Sequence, residues 1–307
     1  MTVVAMAIVG LSSAGVLGLA SLAGAARGLG VSAAPTHPSV AALEKQITAL
    51  LHHSVAKKSK IKTEYSYNWA GYAFVAKDAY NGTLTEVSAA WFTPVVTCNE
   101  PSGTPSFQVS WVGFDGASDG TVEQGGTLSY CSNNGATPAY YTWWEFYPYN
   151  SVQLVYQISG ADAIQAYVLY NPGWCFGDVC GVYTIAVSDV DNQGADFSIT
   201  GNPTVCDAAG CEGGQDADAE VISEAPGGYS ANGGYYYLAD YGTSQFYEAQ
   251  VTVNGHSTGI GAESSKLGKT YLIDEVGFTS GAIIQTTSAL SPDLYGQYFA
   301  LTWSGFD

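Results

Sequence analysis

The chain has 307 residues, 47% of them hydrophobic, with 37 glycines, 22 tyrosines and a formal charge of −18. Length and composition suit one large β domain with appendages. The negative charge excludes a nucleic-acid partner, which needs cationic contacts to phosphate. It is unevenly spread: Arg27, Lys45, Lys57, Lys58, Lys60 and Lys62 lie in residues 1–62 beside a single acid, Glu44. Residues 63–307 therefore hold 26 acids against 3 bases, a net −23. Such a body repels itself at neutral pH, and protonation relieves it; an acidic working environment is the expectation.

Residues 3–26, VVAMAIVGLSSAGVLGLASLAGAA, are apolar and rich in small residues, with a small-x-small site at Ala23-Gly24-Ala25. Residues 1–26 read as a signal peptide. No cationic residue precedes Val3, so a membrane anchor stands as the alternative. Residues 27–62 read as a basic helical propeptide. Val40, Leu43, Ile47, Leu50 and Leu51 recur at helical spacing, and KKSKIK (57–62) follows. A basic segment ahead of a polyanionic body predicts electrostatic docking at neutral pH and release in acid; a plain linker is the simpler reading.

From Tyr65 onward, short runs of Val, Thr, Tyr, Phe and Trp alternate with Gly, Asn and Asp. Asn-Gly at 81–82, 134–135, 232–233 and 254–255 signals hairpins. Residues 63–307 are thus predicted to be all-β, an antiparallel sandwich of two multi-stranded sheets. Asn81-Gly82-Thr83 is also a glycosylation sequon.

Of the four histidines, His37, His52 and His53 precede the body and only His256 lies in it, beside a turn signal. Serine or cysteine catalysis through imidazole would rest on that one residue. Carboxyl chemistry is the remaining option, with no cofactor and no metal expected. The six cysteines, Cys98, Cys131, Cys175, Cys180, Cys206 and Cys211, allow 15 pairings. Two short spacings, Cys175/Cys180 and Cys206/Cys211, read as loop staples and leave Cys98 with Cys131. Zinc competes, but neither local pair has a nearby histidine; disulfides and an oxidising compartment are favoured.

Three stretches carry chemistry. WVGFDGASDGTVEQGG (111–126) is a strand, a turn-rich loop and a second strand. Gln124 stands before Gly125-Gly126, a pair that lets a backbone or a substrate approach closely. In YYTWWEFYPY (140–149), Tyr141, Trp143 and Glu145 share one strand face and Trp144 and Phe146 the other. One face is core; the other is an aromatic wall with a carboxylate, suited to a peptide or a sugar. In AEVISEAP (219–226), Glu220 and Glu224 share a face about 13 Å apart, too far to share one proton. Taken alone, they belong to a solvated sheet face.

In order along the chain, YSYNWAGYAF, WFTPVV, WVGFDG, TVEQGG, WWEFYP, AEVISEAP and LADYGTSQF resemble the signature segments of the glutamic peptidases, the eqolisins. The resemblance spans about Tyr65 to the C-terminus. It implies a two-sheet sandwich and acid endopeptidase activity on proteins or peptides. Position by position it implies that Gln124 and Glu224 are catalytic and that Trp111, Asp115, Trp143 and Glu145 line the site. Tyr141 stands where the family has an aspartate, and Val221 where it has a tryptophan. Glu224 would then deprotonate a water, and Gln124 would stabilise the oxyanion with an amide that no pH titrates. The expected product is a secreted, monomeric zymogen whose first partner is its own propeptide. A β-sandwich glycoside hydrolase using Glu145 and Glu224 and a secreted carbohydrate-binding module are the alternatives.

Overall fold

The computed structural model describes residues 61–77, 84–101, 103–117, 120–148, 150, 152–176, 179–203, 205–207, 210–212, 214–227, 235–261, 267–291 and 296–306. The leader, the basic helical segment expected at 27–62 apart from its last two residues, the sequon and the Asn-Gly at 232–233 lie outside them.

In chain order the strands are β1 (Lys62–Ser66), β2 (Trp69–Ala76), β3 (Leu84–Phe92), β4 (Ser106–Phe114), β5 (Val122–Cys131), β6 (Ala139–Tyr147), β7 (Gln153–Ile158), β8 (Ala163–Phe176), β9 (Val179–Asp189), β10 (Phe197–Gly201), β11 (Val205–Asp207), β12 (Gly210–Glu212), β13 (Asp218–Glu224), β14 (Tyr237–Leu238), β15 (Thr243–Val253), β16 (His256–Gly259), β17 (Gly268–Val276), β18 (Ile283–Thr287) and β19 (Phe299–Trp303). Among the described residues one 3-10 turn, Gln193–Ala195, is the sole helical element.

The strands form two layers. The first runs β7-β6-β5-β4-β13-β2-β17-β1, the second β10-β9-β8-β3-β15-β16. Strands β18 and β19 join them at one corner, pairing with β17 and β15. Pairing is antiparallel except for β1 with β17 and β14 with β4. The hairpin signals act as expected where described. Asn254 and Gly255 take φ of 51° and 74° between β15 and β16, and Gly135 turns at 77° between β5 and β6. Both residues of a type I′ turn need positive φ, which Asn and Gly tolerate best.

Between the layers lies the main core. Tyr72, Phe74, Val112, Phe114 and Val221 of the first layer meet Val87, Trp91, Ile164, Ile185 and Phe246 of the second. One polar tie crosses it: the Trp91 indole N–H donates to Thr127 Oγ1 at 2.9 Å. The glycine pair serves this packing. A Cβ on Gly126 would stand 1.9 Å from the Ser110 carbonyl oxygen, and one on Gly125 would stand 2.4 Å from Ile185 Cγ2. Close approach is therefore to the chain's own strands. Cys98 and Cys131 form a disulfide that ties the loop before β4 to the end of β5. Cys175 is also disulfide-bonded and stands opposite Cys180 in the β8–β9 ladder; Cys206 stands opposite Cys211.

The outer face of the first layer carries a second apolar cluster: Ala73, Val109, Trp111, Leu128, Trp143 and Ile222. The strand 139–147 thus buries both faces, Phe146 toward the main core and Trp143 toward this second cluster. The candidate site is built on that outer face.

Candidate active site

Directly opposed residues of an antiparallel ladder point to the same side of the sheet. The registers therefore lay out the outer face row by row across β2, β13, β4, β5 and β6. One row reads Trp69, Glu224, Val109, Leu128, Tyr141. The next reads Gly71, Ile222, Trp111, Gly126, Trp143, and the third Ala73, Glu220, Gly113, Gln124, Glu145. Gln124 and Glu224 thus share a face. They lie two strands and two rows apart, a diagonal of roughly 16 Å between Cα atoms.

Trp111 occupies the middle of that diagonal. Its indole N–H donates to Glu224 Oε2 at 2.8 Å. The far edge of its ring covers Gly113, where a Cβ would stand 2.9 Å from Trp111 Cζ3 and 3.1 Å from the Cβ of Gln124. Glycine at 113 makes room for the ring, and the ring links the carboxyl to the base of the amide. Trp69 packs edge-on against it, with centroids 5.1 Å apart.

Glu224 is 2% exposed, and Asn68 Nδ2 donates to its second oxygen at 3.1 Å. Burial pushes the carboxyl up to about 7, against the pull of the Trp111, Asn68 and Trp69 donors, which favour the charged form. Glu145, also 2% exposed, is pushed further, to about 8. Burial is the first cause and the charge of Glu224 the second; the hydrogen bond from Gln124 works the other way. That second cause places the two carboxyls within electrostatic reach of each other. Gln124 Nε2 donates to Glu145 Oε2 at 3.0 Å. A primary amide has two N–H bonds, so this contact fixes Gln124 and leaves one N–H for another acceptor. The Gln124 carbonyl oxygen and the Trp143 indole N–H are both buried and have no hydrogen-bond partner among the described residues.

The other site candidates fall as follows. Trp143 is 1% exposed and sits one row from Gln124. Tyr141 is half-buried at the end of the Glu224 row. Glu220 is fully buried in the Gln124 row; β13 is the centre of the layer, so neither of its glutamates lies on a solvated face. Asp115 is fully buried at the end of β4. Its carboxylate accepts the backbone N–H groups of Gln215, Asp216 and Ala217 at 2.7, 3.1 and 2.8 Å. It anchors the approach to β13. His256 is exposed at the β15–β16 turn. Sequence reasoning missed Asn68. The signal was the Asn-Trp pair of the opening segment, which the Glu224–Trp69 register brings to the end of β13.

A family model described as the Peptidase A4 family matches residues 67–290. No curated protein sequence matches the chain. Among solved structures, scytalido-glutamic peptidase with a transition state analog inhibitor aligns with a TM-score of 0.55 at 20% identity, covering 78% of this chain and 99% of that one. SCP-B, a member of the eqolisin family of peptidases in complex with the tripeptide Ala-Ile-His, gives 0.52 at 18%, again over 78% and 99%. At such identities the structures speak for the fold, and the family model carries the kinship. The chain belongs to the Peptidase A4 (eqolisin) family and is a glutamic-type endopeptidase.

Proposed function

We propose that the chain is a secreted endopeptidase of acidic surroundings, made as a zymogen, in which Glu224 activates water and Gln124 stabilises the oxyanion. The observation that carries the reading is the Glu224–Trp111–Gln124 diagonal on one buried sheet face. Glu224 takes a proton from the attacking water and returns it to the leaving amine. The N–H groups of Asn68 and Trp111 hold its two oxygens in place. The second N–H of Gln124 meets the developing oxyanion while Glu145 restrains the amide. Removing a donor of this kind costs about 3–4 kcal/mol of transition-state stabilisation. The buried Trp143 N–H and Gln124 carbonyl oxygen suit a peptide backbone, which offers both acceptors and donors. Two solved relatives are complexes with a transition state analog inhibitor and a tripeptide, and a peptide is the ligand we carry over.

A carboxyl near 7 is mostly protonated in mild acid, yet each ionised Glu224 is a stronger base than a free glutamate. The rate should therefore climb with pH through the acid range. Ionisation of Glu145 beside Glu224 and the self-repulsion of the −23 body act against the alkaline side. Acidic surroundings are proposed from the −23 body alone, whose self-repulsion protonation relieves. Residues 27–62 are proposed as the propeptide, held by charge at neutral pH. The polysaccharide-cleaving and carbohydrate-binding alternatives give way to the peptidase family.

The test is digestion of acid-unfolded casein by wild type, Glu224→Gln and Gln124→Ala, with N-terminal sequencing of the products of acid incubation. We expect Glu224→Gln to cut neither casein nor itself, and Gln124→Ala to lose 10²–10³ in kcat, on the order of a lost oxyanion donor. A Glu224→Gln protein that still cuts casein refutes the assignment.

A further inference from the structure

Two residues, Tyr67 and Asn68, carry the chain from β1 to β2 across the end of β17. Strand β1 pairs with β17 in parallel, Ser66 standing opposite Glu275, and β2 pairs with the other edge of β17 in antiparallel register. Asn68 is buried, and its backbone is tied to β13: its carbonyl oxygen accepts the N–H of Ala225 at 2.9 Å. Rotation of the side-chain amide is then the freedom left to fix, and only one end of that amide suits Glu224. Nδ2 donates to Glu224 Oε1 at 3.1 Å. A half turn would set Oδ1 there instead, oxygen against carboxylate oxygen.

The half-buried Ser66 decides between the two orientations. Its Oγ accepts the backbone N–H groups of Asn68 and Trp69 at 3.3 and 3.2 Å. A serine hydroxyl has two acceptor lone pairs and one hydrogen. Donors engage both lone pairs, and the hydrogen is left for Asn68 Oδ1, 3.1 Å away. Were the amide reversed, Nδ2 would meet an oxygen whose lone pairs are already taken. The hydroxyl thus holds Oδ1 on its own side and turns Nδ2 toward the carboxyl.

Resting on the peptidase reading above, we propose that Ser66 is a positioning residue for the reaction, acting through the Asn68 amide to keep an N–H facing Glu224. A hydrogen bond to the charged form of a carboxyl favours ionisation, and Glu224 must be ionised to take a proton from water. An amide that samples both orientations gives that support only part of the time. A serine that merely caps two N–H groups of the turn would affect stability and leave the ionisation of Glu224 alone.

The experiment compares wild type, Ser66→Ala, Ser66→Thr, Asn68→Ala and the double variant Ser66→Ala with Asn68→Ala. The full chains are incubated in acid, and pH–rate profiles on one peptide are taken beside thermal midpoints. Glu145 and Tyr235, titratable groups that feel the charge of Glu224, are the same in every variant. Ser66→Ala should move the acid limb of kcat up by roughly half a pH unit, part of what a hydrogen bond to a charge supplies. At a fixed pH on that limb kcat falls about threefold while KM holds. Ser66→Thr keeps a hydroxyl and should keep the wild-type limb. In the Asn68→Ala background Ser66→Ala should move the limb no further, because the amide is gone. An unmoved limb in Ser66→Ala, whatever its thermal midpoint, overturns the proposal, and so does an equal shift in both backgrounds. A wild type that cuts no peptide overturns the hydrolytic reading by itself. The titration of Glu224 is then followed by its carboxyl stretch in infrared difference spectra against Glu224→Gln; the same upward shift in Ser66→Ala upholds the positioning role, and an unshifted titration overturns it.

Discussion

Glu145 gives the sharpest test, because its proton couples the fold to pH. Its ordinary value is 4.5 and its folded value about 8, and Glu224 moves from 4.5 to about 7. Both shifts are upward, so the folded state binds protons that the unfolded state has released. Stability is then complete below about 4.5 and drains away as pH rises through 7 and 8. Each such group contributes about 1.4 kcal/mol per pH unit between its two values. The two contributions overlap, because part of the rise at Glu145 exists only once Glu224 is charged. We expect a loss of about 3–5 kcal/mol between pH 5 and pH 8, with Glu145 among the contributors. Urea unfolding of wild type and Glu145→Gln at several pH values measures it, with the disulfides intact. The amide is close to the neutral carboxyl in shape, so the variant should lose much of the slope. Wild-type stability that is flat or rises from pH 5 to 8, or an unchanged slope in Glu145→Gln, refutes the reasoning.

Asn68→Ala removes a donor that favours the charged form of Glu224, so its carboxyl should rise and the acid limb of the pH–rate profile should move up by roughly one pH unit, as a hydrogen bond to a charge implies. An unmoved limb means that Glu224 does not set it. Gly126→Ala forces a Cβ into the Ser110 carbonyl, and we expect a loss of more than about 3 kcal/mol or no folded protein; an unchanged thermal midpoint contradicts the β4–β5 packing. Cys98→Ser opens a link between residues 33 apart in sequence and should cost about 3–4 kcal/mol in urea unfolding.

The sandwich was legible because turn chemistry and strand periodicity agree along the body: Asn254-Gly255 turns where the pattern says, and SFQVSWVGF and TVEQ pair as neighbours. What lay beyond local reading was the position of β13. Nothing near Glu224 says that its strand slides between β2 and β4, each more than 100 residues earlier in the chain. That insertion buries Glu220 and Glu224 against expectation. It also brings Asn68 to Glu224 and makes Asp115 an anchor for the loop ahead of the strand. The glycine pair was visible as a demand for closeness, but whose atoms come close is a property of the register and of the facing sheet.

The late arrival of β13 also orders events in time. The strands that carry Gln124 and Glu145 are neighbours in sequence and can zip together early; the one that carries Glu224 must thread between partners already made, a pairing of high contact order. The Gln124–Glu145 contact rests on a local hairpin, whereas the Glu224 contacts with Asn68 and Trp111 need partners more than 100 residues earlier in the chain. On the mechanism proposed above, hydrolysis waits on the docking of β13 between β2 and β4.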